Sequence, residues 1–373
     1  MSPVSAASLA ARVDELLTRR SEANRRFFAD EAERIALVCR ELAESFVAGG
    51  RLLAVGGSAQ AWSDARHVAV EFVHPVIVGK RALPALAVEP TEVALLAAPE
   101  DAVISFDPLA VRTGGRDWRF EPPSADEFVC QELAETLYHL LWELVHVFFE
   151  HLHGSTAGAG ASSFLYPFLE KRDGGGLEEV VADVRRSVLM KAEEVGALRE
   201  QTLGEARSEL ARAADALRRS FDAGATAYVF GNGGSATDAM DLVADLRVAP
   251  QGWPPRPAVD LTADSPILTA LANDIGPEVL FARQLIAYAR EGDVAVAIST
   301  SGGSANIVEA LAEARRRGLV TVAFVGYGGG RIAAEPLADH VVVTRSDHIP
   351  RIQEAQASAY HVLRELVERS NGA

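Results

Sequence analysis

Two stretches of this chain, 222 positions apart (353 − 131), read almost alike. Gln131-Glu132 leads to Tyr138-His139 and a Glu-Leu-Val ending, and Gln353-Glu354 leads to Tyr360-His361 and the same ending. A second pair of blocks precedes them in the same order. Ser45-Phe46-Val47-Ala48-Gly49 opens onto an apolar run at 52–55 and then Gly56-Gly57-Ser58. Ser220-Phe221-Asp222-Ala223-Gly224 opens onto a run at 227–230 and then Gly231-Asn232-Gly233-Gly234-Ser235. Matched blocks in one order mean an internal duplication, so the chain is constrained to fold as two related bodies. Its 373 residues suffice for two domains of ordinary size, each with its own core.

The copies differ in length. Ser58 to Gln131 spans 73 positions (131 − 58) and Ser235 to Gln353 spans 118 (353 − 235), so the first copy is 45 shorter here. The expected organisation is a shortened first domain at 1-152, a Gly- and Ser-rich linker at 153-176, and a full second domain at 177-373. In the second copy, short apolar runs at 227–230, 258–261, 294–298, 320–325 and 340–343 alternate with helical periodicity. That alternation predicts an α/β fold with a parallel sheet covered on both faces, whose ligands sit at the carboxyl ends of the strands.

The run at 294–298 stops abruptly at Ser299, Thr300, Ser301, Gly302, Gly303 and Ser304, and a helical pattern begins at once. Small hydroxyls and glycines between a strand end and a helix start leave backbone N–H groups converging on one spot. The helix N-terminus adds partial positive charge, and the whole suits a phosphate. Four hydroxyls in six residues exceed what a helix cap requires. The first copy has Asp107-Pro108 at the matching place, which offers no such nest.

A net charge of −16 leaves no basic face for a nucleic-acid partner, although a local nest of N–H groups can still hold a phosphorylated small molecule. The most apolar helical stretch, 137–149, is interrupted by His139, Glu143 and His146, so no membrane span is expected. Two separated cysteines, Cys39 and Cys130, give no disulfide framework and fit a reducing, cytoplasmic setting.

G-N-G-G-S at 231–235, A-N-D-I-G at 272–276, I-S-T-S-G-G-S at 298–304 and R-I-Q-E at 351–354 together resemble the sugar-isomerase (SIS) family, and within it the phosphoheptose isomerases. The resemblance covers roughly 177–370. It implies a flavodoxin-like parallel sheet, here as two tandem copies with the first truncated. It also implies a homo-oligomer, usually a tetramer, with sites at subunit interfaces. The implied reaction interconverts sedoheptulose 7-phosphate and a heptose 7-phosphate. By the same resemblance Ser299, Thr300, Ser301 and Ser304 hold phosphate, while Asn232, Gly233, Gly234, Ser235, Asn273, Asp274 and Gln353 hold the sugar. A zinc set of His and Glu four apart, then Gln and a later His, is also implied. In the first copy it maps onto His67, Glu71, Gln131 and His139 if three extra residues, around Gln60 to Trp62, follow Ser58. In the second copy the pair is Asp241 and Asp245, with Gln353 and His361 kept.

The chemistry requires a base that lifts a proton next to a carbonyl and a group that steadies the enediolate. Asp245 with His361 is the candidate acid/base pair of the second copy, and Glu71 with His139 that of the first. Zn2+ or another divalent metal would polarise the sugar oxygens. Asp241 and Asp245 suit a harder ion such as Mg2+, and read equally as a solvated acidic helix face. Gln131 and His139 lie about 12 Å apart along a continuous helix, a long span for one ion. Two rivals remain. A Gly231-x-Gly233-x-x-Ala236 dinucleotide fingerprint with Asp260 leaves the Ser-rich loop without a role. A sugar-phosphate-binding or scaffolding protein without catalysis would explain the two aspartates. A structural first copy, packing its apolar helix at 133–149 against the second, is a further expectation.

Overall fold

The computed structural model describes residues 6–75, 81–106, 116–122, 124–152, 177–248 and 253–369. Two long helices, α1 (Ala6–Val47) and α5 (Leu177–Asp222), open the two halves of the repeat. They end in the same way. Gly49 and Gly224 both adopt φ 88°, which glycine reaches without a Cβ penalty. Gly49 and Gly50 donate to the Phe46 and Ser45 carbonyls, and Gly224 and Ala225 to those of Phe221 and Ser220. Both stops are therefore Schellman motifs that turn the chain into its first strand.

The N-terminal sheet contains β1 (Leu52–Val55), β2 (Ala85–Val88), β3 (Ala102–Ser105) and β4 (Arg116–Arg119) in the order β2-β1-β3-β4, all parallel. Around it lie α2 (Ala59–Val73), the single-turn α3 (Val93–Leu96) and α4 (Glu127–Leu152). The C-terminal sheet contains β5 (Ala227–Phe230), β6 (Ala258–Asp260), β7 (Val294–Ser299), β8 (Val320–Val325) and β9 (His340–Val343) in the order β6-β5-β7-β8-β9, again parallel. Its helices are α6 (Gly234–Arg247), α7 (Ser265–Asp274), α8 (Leu280–Tyr288), α9 (Ala305–Arg316), α10 (Gly330–Ala334) and α11 (Ile349–Arg369). The second order is that of a flavodoxin-like sheet, and the first is the same order short of one strand among the described residues. Between β3 and β4 lie ten residues (116 − 105 − 1), where the twenty between β7 and β8 (320 − 299 − 1) include the twelve of α9.

Period-2 side chains explain why the C-terminal sheet is covered twice. Ala227, Val229, Val296 and Phe324 join a core with α5, α6 and α11, while Tyr228, Phe230, Ala297 and Val325 join another with α8 and α9. In the N-terminal unit one face carries a large core built on α1, α2 and α4, and the other a small cluster of Leu53, Val55, Val88, Val93 and Val103. The apolar side of α4, including Leu137, Trp142 and Phe148, is consumed within its own unit's core. Val184, Val188 and Ala192 of α5 join the same core, so the helix at 133–149 packs against residues that open the second copy as well as against α1 and α2.

The chain forms two compact units that divide it elsewhere than at 1-152 and 177-373. One unit is Glu22–Gly196, and the other combines residues up to Ser21 with those from Ala197 onward. Both boundaries fall inside the long helices. The expected linker at 153-176 and the Asp107-Pro108 turn lie outside the described residues.

The repeat is tighter than the sequence suggested. Val55 and Phe230 end their strands, and Ser58 and Gly233 are the next helix caps, each pair 175 apart. A Cβ on Gly56 would lie 2.1 Å from the Ala61 carbonyl oxygen, and one on Gly231 would lie 2.1 Å from that of Ser235. These close approaches make Ala61, not Ser58, the counterpart of Ser235. The three-residue insertion therefore shrinks to one. Gly57 then stands where the second copy has Asn232.

Candidate functional site

The C-terminal unit holds its switch point between β5 and β7. After β5 the chain moves outward to β6, and after β7 it moves the other way to β8, opening a crevice at the carboxyl ends of the two central strands. Two of the expected loops lie there. Ser299 closes β7 and is buried, and its Oγ accepts from Gly302 N–H at 3.1 Å. Ser301 Oγ accepts from Gly303 N–H at 3.3 Å and lies 3.4 Å from Ser304 Oγ. Ser304 caps α9 through its backbone, with no side-chain cap bond, so its hydroxyl is not committed to the helix. Thr300 is half-buried between them.

A glycine turn braces this loop from beneath. A Cβ on Gly302, at φ 62°, would come within 2.3 Å of the Gly329 carbonyl oxygen, and Gly302 in turn accepts from Ile332 N–H at 3.0 Å. Within the same turn Tyr327 adopts φ 51°, uncommon for a bulky residue.

On the β5 side Gly233 caps α6 at φ 57°, Gly234 begins the helix, and Ser235 is buried. Asn232 makes a reciprocal pair with Asn306 in the first turn of α9, each amide nitrogen donating to the other's oxygen at 2.9 Å. Asn273 and Asp274 end α7, exposed and bonded to each other at 2.7 Å. No hydrogen bond among the described residues ties them to either loop.

Behind the serine loop α11 carries the remaining candidates. Gln356 Nε2 reaches the Ser299 carbonyl at 3.5 Å, and Gln353 is buried one turn earlier. His361 is fully buried. Its Nε2 lies 3.1 Å from Asp241 Oδ2 and 3.2 Å from Asp245 Oδ2, and Tyr360 donates to Asp241 at 2.8 Å. The i, i+4 aspartates thus converge on one imidazole edge, as their helical spacing requires. They are buried and do not form a solvated acidic face.

In the N-terminal unit Tyr138 OH lies 2.9 Å from His67 Nδ1, the same relation that Tyr360 has to Asp241. The donor atoms that converge are those of His67, Glu135 and His139, all within 4.8 Å of one another. Glu71 Oε1 stands 3.9 Å from His67 Nε2. Gln131 is two turns away from His139 along the unbroken α4, and its amide donates to Ser63 Oγ at 3.4 Å. Glu135 is the residue that sequence reasoning missed. It precedes His139 by four, and its counterpart in the other copy is Ala357, so the repeat gave no signal.

Burial, and after it the neighbouring His139, holds the His67 imidazole well below its usual range, which keeps it neutral and able to ligate. Two imidazoles and a carboxylate form a zinc-type donor set, and Asp241, Asp245 and His361 form a harder one. Both sets fit a divalent ion.

The family described as SIS domain matches residues 192–326. A phosphoheptose isomerase of Thermodesulfovibrio yellowstonii is 37% identical over 177 residues, which cover 47% of this chain and 87% of that protein. The chain belongs to the SIS family. Within the SIS family it groups with isomerases. The phosphoheptose isomerase of Aquifex aeolicus is 45% identical over 142 residues, 38% of this chain and 73% of that protein. The chain is an enzyme of that class, an isomerase. Among solved structures, the C-terminal domain of glucosamine-fructose-6-phosphate aminotransferase from Francisella tularensis aligns with 96% of this chain and 96% of its own. The TM-score is 0.53 at 11% identity, a likeness of fold.

Proposed function

We propose that this isomerase acts on a sugar phosphate in its C-terminal unit, converting sedoheptulose 7-phosphate to D-glycero-D-manno-heptose 7-phosphate. The observation that carries the reading is the position of α11. Gln356, two turns into it, reaches the serine loop, and His361 lies five residues on, about 7.5 Å along the axis, beside two carboxylates. Ser299, Thr300, Ser301 and Ser304 take the phosphate. Asn232, Gly233, Gly234, Ser235, Gln353, Asn273 and Asp274 take the sugar.

In the reaction the Asp245 carboxylate lifts a proton from C1 as the C1–C2 double bond forms, and returns it to C2. His361 passes the hydroxyl proton of O1 to O2, so the carbonyl moves from C2 to C1 with atoms and charge conserved. Each unit has residues that would hold a divalent metal, Zn2+ on His67, Glu135 and His139 with Glu71 beside them in the N-terminal unit, and a harder ion on Asp241, Asp245 and His361 in the C-terminal one. An ion at the second set would supply Lewis-acid polarisation of an oxygen in place of the free acid/base pair. Assembly as a homo-oligomer belongs to the same reading, supported by α7, none of whose ten residues is buried in the chain alone.

The second reading, sugar-phosphate binding without turnover, is favoured by the burial of His361 and by the two aspartates that occupy its edge. The deciding measurement follows aldose–ketose exchange on sedoheptulose 7-phosphate by NMR, with wild type, Asp245→Asn and His361→Ala. Both variants are expected to lose about 100-fold or more in kcat. A wild type that is thermally stabilised by the sugar phosphate yet never turns it over, with or without added metal, establishes the second reading instead.

A further inference from the structure

The Asn232–Asn306 pair is not explained by the need to cap a helix or close a strand. Asn232 follows β5 and is exposed, while Asn306 sits in the first turn of α9 and is half-buried. Their amides form a cyclic pair with two N–H···O bonds of 2.9 Å, directly across the crevice between the central strands. An amide has two N–H groups and two acceptor lone pairs, so each side chain keeps one donor and one acceptor for a ligand. Both amides are fixed in plane and rotamer, because turning either one breaks both bonds.

We infer that Asn306 is a positioning residue that sets which sugar phosphates this isomerase accepts. It holds the Gly231–Gly234 loop at a fixed separation from the serine loop, and so fixes the distance between the phosphate and the hydroxyls that Asn232 reads. The inference rests on the sugar-phosphate reading above. The serine loop does not depend on the pair. Its own braces run from Gly302 and Gly303 N–H to Ser299 and Ser301, and from Ile332 N–H to the Gly302 carbonyl at 3.0 Å. Breaking the pair therefore loosens recognition of the sugar while sparing that of the phosphate.

Titration calorimetry on wild type, Asn306→Ala, Asn306→Asp, Asn232→Ala and the double alanine variant tests this, with sedoheptulose 7-phosphate and inorganic phosphate as separate ligands. In Asn306→Ala the Kd for the sugar phosphate is expected to rise about tenfold, while that for phosphate stays within about twofold. Asn306→Asp keeps the bond from Asn232 Nδ2 but sets a carboxylate oxygen against Asn232 Oδ1 and adds charge beside the serine loop, so it is expected to weaken both ligands. The double variant is expected to be no weaker than Asn232→Ala alone, since both act through one pair. A sugar-phosphate Kd within twofold of wild type in Asn306→Ala overturns the inference, as does an equal loss for phosphate, which would mark general loosening of the fold. Wild type that binds the sugar phosphate without isomerising it removes only the catalytic reading, and the same titrations still decide the role of Asn306. Wild type that binds no sugar phosphate overturns both.

Discussion

At the scale of single residues, the same helical positions carry different chemistry in the two units. His67 and Glu71 in one correspond to Asp241 and Asp245 in the other, and the tyrosine before each histidine contacts the first of each pair. Two imidazoles and a carboxylate bind zinc far better than one imidazole and two aspartates. Zinc in the purified protein, read by elemental analysis, is therefore expected to fall to background in His67→Ala and His139→Ala and to persist in His361→Ala. Loss in His361→Ala alone would reverse the assignment. A second pair of equivalents concerns stability. Asp101 and Asp293 each precede a central strand and bind the backbone N–H that starts the neighbouring one, Arg51 at 2.7 Å and Thr226 at 2.8 Å. Burial pushes the Asp101 carboxyl upward, but the Arg51 side chain and the N–H groups of Ala98 and Arg51 outweigh it and hold the group below the usual carboxylate range. Its contribution is thus complete above pH about 3.8 and is lost as pH falls through the lowered folded value. Asp101→Asn is expected to cost about 1–3 kcal/mol at neutral pH, and the gap to wild type in thermal or urea unfolding should close at acid pH. A gap that persists unchanged to pH 2 would show that charge has no part in it.

At the scale of elements, the loop after β7 is where sequence and structure agree best, because a buried strand, a run of hydroxyls and a helix start each leave a local signature. Its glycines do not. Gly302 is required by a neighbour 27 positions away in the chain (329 − 302), since any Cβ there would strike the Gly329 carbonyl and would also have to tolerate φ 62°. Gly302→Ala is accordingly expected to lower stability by about 1–3 kcal/mol and to abolish phosphate protection in a thermal-shift measurement. A variant with unchanged stability and unchanged phosphate protection would show that the loop and the glycine turn are not rigidly braced. Most of the sheets were legible from strand periodicity, and helical spacing put Asp241 and Asp245 on one face, but only the family resemblance linked them to His361. What was not legible depended on contacts between elements. Glu135 joins His67 only because α2 and α4 pack together, and a Glu four before a His on a helix is ordinary. Asn306 looks like a second helix cap until Asn232 is seen opposite it. The size of the insertion after β1 was misjudged for the same reason, since Gly-Gly-Ser matches Gly-Gly-Ser by letter while the close approach of Gly56 to Ala61 fixes a different register.

At the scale of the whole molecule, the internal repeat invites division of the chain between the copies, and the packing opposes it. Each compact unit takes the front of the other half's first helix. Leu9, Val13 and Leu16 of α1 lie in one core with Leu203, Leu210, Tyr360 and Leu363, and the buried Arg20 bonds Glu365 at 3.1 Å. Val184, Val188 and Ala192 of α5 lie in the other core with Leu137, Leu141 and Phe148, and Lys191 meets Glu143 at 2.7 Å. A fragment that begins at Leu177 carries the serine loop, the Asn232 loop and His361, so by motif content it is a complete isomerase domain. By packing it lacks three buried apolar side chains at about 1.5–3 kcal/mol each and the cation facing a buried carboxylate. The apolar side chains alone amount to roughly 4.5–9 kcal/mol, as large as the whole stability of many domains. Expressed alone, residues 177–373 are expected to show no cooperative thermal transition by circular dichroism. Adding a peptide spanning residues 6–21 should restore one in proportion to its concentration, because anything that binds only the folded form shifts the equilibrium by mass action. A fragment that melts cooperatively within a few degrees of the full chain, with no response to the peptide, would mean that the second copy is self-sufficient and that the shared helices are incidental to its stability.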